Sequence, residues 1–186
     1  MDAREWGSQL AAILGILVDK NKALYWSVVL GAVIINFIEL GNPAEILVVE
    51  DRPSDVELMR EALDEYHKPL HLHVVRDGEE ALEFLRQQGK YENAPRPDLI
   101  LLDLNLPKLN GREVLAAIKA DPKLKLLPVV VLTTSTTAQD ILLSYELHAN
   151  CCITKPADLD QFIEVIQVTL KFWLTFVALP LATEKY

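Results

Sequence analysis

DLILLDLNLPKLNG, residues 98–111, sets a short run that is apolar at every position, Leu99 to Leu102, directly before an acid, Asp103. Four continuous apolar residues followed by a proline- and glycine-bearing loop read as a strand buried on both faces. Toward the N-terminus, Ile46 to Val49 is a run of the same kind. Ser54 with Glu57 three residues on has capping-box spacing and predicts a helix to about Tyr66. Leu70 to Val75 alternates as a second strand, Asp77-Gly78 is a turn signal, and Glu79 to Gln88 reads as a helix ended by Gly89. The stretch Lys90 to Pro97 holds two prolines and is expected to be irregular. Toward the C-terminus, a helix over Gly111 to Ala120 stops at Asp121-Pro122, and Val129 to Leu132 is a fourth strand. A helix around Asp140 to Leu147, a short strand Cys151 to Thr154 and a last helix from Leu159 to about Phe176 complete the series. Five strands alternating with five helices predict an α/β fold, a doubly wound five-stranded parallel sheet.

The chain of 186 residues is 51% apolar and 24% charged, the composition of a folded protein. A net charge of −9 argues against a nucleic-acid partner, which would call for a basic face. Its two cysteines, Cys151 and Cys152, are adjacent, so they point to opposite sides of a strand and make neither an easy disulfide nor a zinc cluster. Ordinary thiols in a reducing cytoplasm are the expectation.

Composition changes abruptly at Gly41-Asn42-Pro43, which divides the chain into an apolar N-terminal extension, 1–42, a main domain, 43–180, and a tail, 181–186. The extension is expected to be helical. Residues 23–40 carry no charge before Glu39 and approach the length of one membrane span, with Tyr25 and Trp26 placed for an interfacial belt. Lys20 and Lys22 precede this stretch while Glu39 and Glu45 follow it, so the positive-inside rule would put the main domain outside the cell. Three readings stand: a membrane anchor, a cytoplasmic apolar helix that packs on the domain or a partner, or a non-native extension.

Ligands of open α/β sheets bind at the carboxyl ends of the strands. There the sequence places Glu50-Asp51 after the first strand, Asp103 after the third, Thr133-Thr134 after the fourth and Lys155-Pro156 after the fifth. Three converging carboxylates repel one another unless a hard divalent cation sits among them, and Mg2+ suits such a set. With a metal to neutralise a phosphoryl group, a carboxylate can attack it to give an aspartyl-phosphate. A lysine supplies a point charge, and a threonine a hydroxyl, for the phosphoryl oxygens.

These motifs, ILVVEDR at 46–52, DLILLDLNLPKLNG at 98–111, PVVVLTTS at 128–135 and ITKP at 153–156, resemble those of a response-regulator receiver domain, which has the flavodoxin-like fold. The resemblance implies that Glu50, Asp51 and Asp103, with the backbone carbonyl of Asn105, hold Mg2+. It implies further that Asp103 accepts a phosphoryl group from a histidine kinase. Thr133 would bond the phosphoryl oxygen and draw its loop inward, Lys155 would pair with the same group, and Lys155–Pro156 would be cis. The segments YENAPRPDLILLDLNLP (91–107) and DLDQFIEVIQVTLKFWLTFVALP (158–180) more narrowly resemble the single-domain cyanobacterial-phytochrome response regulators, whose kinase is a phytochrome-like photosensor.

Two positions depart from the family's pattern. Cys152 stands where an aromatic switching residue is usual, two before Thr154, and His148-Ala149 replaces Gly-Ala at a turn that needs positive φ. His71 and His73 share one face of the second strand; surface histidines are expected there, a metal pair being the alternative. Trp173, Leu174 and Val177 form a stripe that is either core or the contact of a homodimer or partner. Two other functions compete with the receiver. A Mg2+-dependent phosphatase with an aspartyl nucleophile, similar to haloacid-dehalogenase-like enzymes, needs an acid where Asn105 stands and a cap for which the chain has no room. A pseudo-receiver, binding without phosphorylation, is favoured by Cys152 and opposed by the intact acids, threonine and lysine.

Overall fold

A computed structural model describes residues 43–64 and 69–180. The expectations for residues 1–42 and the tail 181–186, membrane contact through 23–40 included, lie outside the described residues. Among the described residues no helix is long and apolar enough to cross a membrane.

The strands are β1 (Ala44–Val49), β2 (Leu70–Val75), β3 (Leu99–Asp103), β4 (Val129–Thr133) and β5 (Cys151–Thr154). The helices are α1 (Pro53–Asp64), α2 (Gly78–Leu85), α3 (Gly111–Ala120), α4 (Ala138–Glu146) and α5 (Leu159–Lys171). All strand pairs are parallel, in the order β2-β1-β3-β4-β5. This is the doubly wound sheet expected, and its order reverses between β1 and β3, the switch point at which such folds bind ligands.

The continuous apolar runs follow from layers on both faces. Leu47, Val49, Ile100, Leu102, Val129 and Val131 pack toward Phe84 of α2 and Val114, Leu115 and Ile118 of α3. Their neighbours Ile46, Val48, Leu99, Leu101, Val130 and Leu132 pack toward Met59 of α1 and Phe162, Ile166 and Leu170 of α5. Successive residues alternate between the two layers, so neither face leaves room for a polar position. Each such large apolar side chain contributes about 1.5–3 kcal/mol.

Element boundaries differ from expectation where local chemistry outranks periodicity. Helix α1 begins at Pro53, whose fixed φ suits the first helical position, so Ser54 sits inside the first turn and does not cap it. Helix α2 stops at Leu85, with Gln87 at φ 53°; the Gln87 and Gln88 N–H groups bond back to the Phe84 and Glu83 carbonyls. That is a Schellman closure, and it places a non-glycine where Gly89 was the expected terminator. Gly89–Tyr91 then forms one 3-10 turn that overlaps the start of the stretch, Lys90 to Pro97, expected to be irregular. Helix α4 closes in the same way: the His148 N–H reaches the Tyr145 carbonyl at 2.9 Å and the Ala149 N–H the Ser144 carbonyl at 3.0 Å, with His148 at φ 62°. The positive φ expected at His148 is present.

Of the apolar stripe at the end of the last helix, Trp173 and Leu174 pack against the α1–α5 layer. The helix continues as a π turn over Phe172–Phe176, and the exposed apolar face is a different one, Val168, Phe172 and Phe176. On the edge strand β2, His71 Nδ1 and His73 Nε2 each contact one oxygen of the Glu45 carboxylate on β1, His71 at 2.9 Å. Burial raises the Glu45 carboxyl, but the two imidazole contacts outweigh it and hold the group below its usual range.

Candidate functional site

Strand register carries the site. Leaving β1 at Val49 and β3 at Asp103, the chain sets Glu50, Asp51 and Asp103 side by side at the switch point. One carboxylate oxygen from each lies within 4.8 Å of the others. Glu50 and Asp103 are buried, 1% and 2% exposed, while Asp51 is half-buried and opens to solvent. Burial of a carboxylate without compensation costs several kcal/mol, so the source of compensation matters.

It comes from Lys155, delivered by the end of β5, itself buried. Its Nζ donates to Asp103 Oδ2 at 2.8 Å, to Asp55 Oδ2 at 3.0 Å and to Glu50 Oε2. The Lys155 N–H bonds the Thr133 carbonyl at 2.7 Å, which locks the β5 exit against β4. Burial alone would lower the lysine, but its contacts with Asp103 and Glu50 raise it above its usual value, so it is cationic at neutral pH. Glu50 is pushed up by burial, against the pull of Lys155.

Two further residues belong to the site that the sequence reading did not single out. Arg52 bonds Asp55 at 2.6 Å and stands 3.8 Å from Asp103 Oδ2 and 3.5 Å from Glu50 Oε1. Asp55 lies in the first turn of α1, one helical turn after Asp51. No signal in the sequence marked it, because its approach to the pocket depends on how α1 packs on the sheet. Four carboxylates thus face two cations, leaving a formal surplus of two negative charges, which one divalent cation would cancel. The donor set is all oxygen, as a hard cation requires, so Glu50, Asp51 and Asp103 could hold a divalent metal.

The other expected residues are placed as follows. Asp103 Oδ1 accepts the Asn105 N–H at 3.0 Å, which orients the carboxylate, and Asn105 Nδ2 reaches Thr134 Oγ1 at 3.4 Å. Thr133 is buried at the end of β4, where its hydroxyl accepts the Ser135 N–H at 3.0 Å. Ser135 and Thr137 both bond Asp140, which is paired in turn with Arg112 on α3. The loop after Thr133 is therefore tied through α4 to α3. Cys152 lies half-buried on β5 with its thiol against the Ser144 hydroxyl of α4, and burial pushes that thiol up. No peptide bond among the described residues is cis, so Lys155–Pro156 is trans. This corrects the expectation: proline narrows the gap between isomers yet leaves trans the lower.

A buried acid at the switch point, a lysine from β5 and a hydroxyl from β4 meet at one sheet edge, and residues 46–167 match the response regulator receiver domain family. The chain belongs to that family. It is 52% identical over 144 residues to the response regulator Rcp1 of Synechocystis sp., covering 77% of this chain and 98% of that protein. Among solved structures it is similar to the phosphorylated cyanobacterial phytochrome response regulator RcpA, at 53% identity and a TM-score of 0.73, covering 75% of this chain and 100% of the other. The Mn2+-bound form of Rcp1 is similar at 52% identity and a TM-score of 0.72, with the same coverage. The protein is a two-component receiver homologous to phytochrome response regulators.

Proposed function

We propose that residues 43–180 receive a phosphoryl group on Asp103 from the phosphohistidine of a phytochrome-like sensor kinase. A carboxylate oxygen of Asp103 attacks phosphorus, the P–N bond to the kinase imidazole breaks, and its electron pair returns to that ring, which takes up a proton. Glu50, Asp51, Asp103 and the carbonyl of Asn105 would hold Mg2+, which when bound would neutralise charge at the phosphoryl oxygens. Lys155 pairs with the phosphoryl group, and the Thr133 hydroxyl turns from the Ser135 N–H to meet it. The observation that carries this reading is Lys155 Nζ, brought from β5 to 2.8 Å from Asp103 Oδ2 beside the acid trio. The Mn2+-bound and phosphorylated relatives support the metal and the modification.

The domain acts in the cytoplasm, where its kinase is, and signals by changed protein contacts instead of turning over a substrate. The outer face of α5 and of the π turn that continues it, with Phe172 52% and Phe176 70% exposed, is its surface for a homodimer. The test is incubation with Mg2+ and acetyl phosphate followed by intact mass measurement. The wild type gains one phosphoryl mass and Asp103→Asn gains none; uptake that survives Asp103→Asn, or its absence in the wild type, overturns the reading.

A further inference from the structure

An ammonium has three N–H bonds to give. In Lys155 all three have carboxylate partners: Glu50, Asp103 and, at 3.0 Å, Asp55. The three acids are not equivalent. Glu50 and Asp103 belong to the cluster suited to a divalent cation, whereas Asp55 stands outside it on α1. Asp55 is also the only one of the three bonded directly by Arg52 NH2, at 2.6 Å. With its side chain 14% exposed, it sits in a region where a charge pair is only partly screened.

A divalent cation entering the pocket competes with Lys155 for Glu50 and Asp103, because both it and the ammonium are drawn to the same oxygens. The bond to Asp55 is untouched by that competition. We propose that Asp55 is a positioning residue for phosphoryl transfer: it anchors the Lys155 ammonium at the α1 side of the pocket once a metal has entered, and shares that ammonium with the arriving phosphoryl group. The inference rests on the receiver reading and deepens it. Asp55 touches neither phosphoryl donor nor acceptor; it acts through Lys155. Sharing weakens the hold of the ammonium on the phosphoryl group, so a neutral side chain at this position speeds transfer.

The experiment uses the full chain and three variants, Asp55→Asn, Asp55→Glu and Lys155→Gln. The first readout is the 15N NMR signal of the Lys155 ammonium, which survives solvent exchange only while the group is held. In the wild type it persists at saturating Mg2+; in Asp55→Asn it broadens on Mg2+ addition, and Asp55→Glu, which keeps the charge, restores it. The second readout is the rate of phosphoryl uptake from acetyl phosphate at saturating Mg2+. Asp55→Asn raises it about 1.5- to fivefold, the span of a partly screened charge interaction, and that gain disappears in the Lys155→Gln background. A persistent ammonium signal in Asp55→Asn overturns the inference, as does an equal rate gain with and without Lys155. Normal uptake by the wild type in either case leaves the receiver reading standing. No uptake by the wild type removes that reading, and this inference with it.

Discussion

Gly111 presses so closely on Asp103 that a Cβ at this glycine would lie 2.1 Å from the Asp103 carbonyl oxygen and 2.6 Å from the Leu104 Cα. Both obstacles are backbone and cannot rotate away. The contact is held by the Gly111 N–H, which bonds the Leu104 carbonyl at 3.0 Å. The start of α3 is thereby a stop against which the main chain of Asp103 is set.

Gly111→Ala should therefore move Asp103 as well as strain the fold. A loss of about 1–3 kcal/mol is expected in urea unfolding, the usual cost of forcing an extra group into a packed site. Phosphoryl uptake should fall by more than stability accounts for, because sub-ångström displacement of an attacking group is costly. Uptake at the wild-type rate in the folded variant would contradict this.

His148 offers the opposite case. It holds the left-handed position of the α4 closure at φ 62°, where glycine carries no Cβ penalty. His148→Gly is expected to raise stability, with relief of about 1–2 kcal/mol partly offset by the greater entropy of unfolded glycine. Phosphoryl uptake should be unchanged, since His148 lies at the far end of α4 from the acid cluster. Thermal unfolding of the two proteins side by side decides it.

Divalent cations should stabilise the protein through the surplus negative charge of the pocket. At a free Mg2+ concentration 100 times its Kd, linkage predicts about 2.7 kcal/mol. Asp51→Asn removes the most solvent-open acid of the trio, so it should raise stability in chelator while abolishing most of the gain from Mg2+. Melting curves with EDTA and with Mg2+ give both quantities.

Asp77 caps α2 through the Glu80 N–H at 2.8 Å and also pairs with Lys108. Burial pushes its carboxyl up, but the Glu80 N–H and the Lys108 ammonium outweigh burial and hold it below its ordinary 3.8. A depressed folded-state value means the stabilisation is complete above the unfolded-state value and lost as pH falls through the folded one. Asp77→Ala should cost about 1 kcal/mol at neutral pH, the usual value of a cap. The difference from wild type should shrink only below pH 3.8; a difference that shrinks between pH 7 and 5 would point to another group.

Most of the fold was legible because the strands are buried on both sides. Leu99 to Leu102 has no polar residue to obscure its period, and the limits of α3 and β5 came out as read. Glu50, Asp51, Asp103, Thr133 and Lys155 were legible because a strand end is a position in the sequence as well as in space. Asp55 was not, since it reaches the pocket from a helix, and its proximity to Lys155 depends on how α1 rests on the sheet. The ends of α2 were misjudged for a related reason: glycine is the expected terminator, yet Gln87 does the work two residues before Gly89. At Lys155–Pro156 proline permits either isomer, and its presence alone does not select one.

The bond between Lys155 and Glu50 spans 105 residues of chain. During synthesis the acids of β1 and β3 emerge long before the cation that compensates them, because β5 is the last strand to be made. A chain that stops before β5 would thus hold Glu50 and Asp103 without the ammonium that offsets their burial. The charge balance of the pocket is therefore complete only once the final strand is in place.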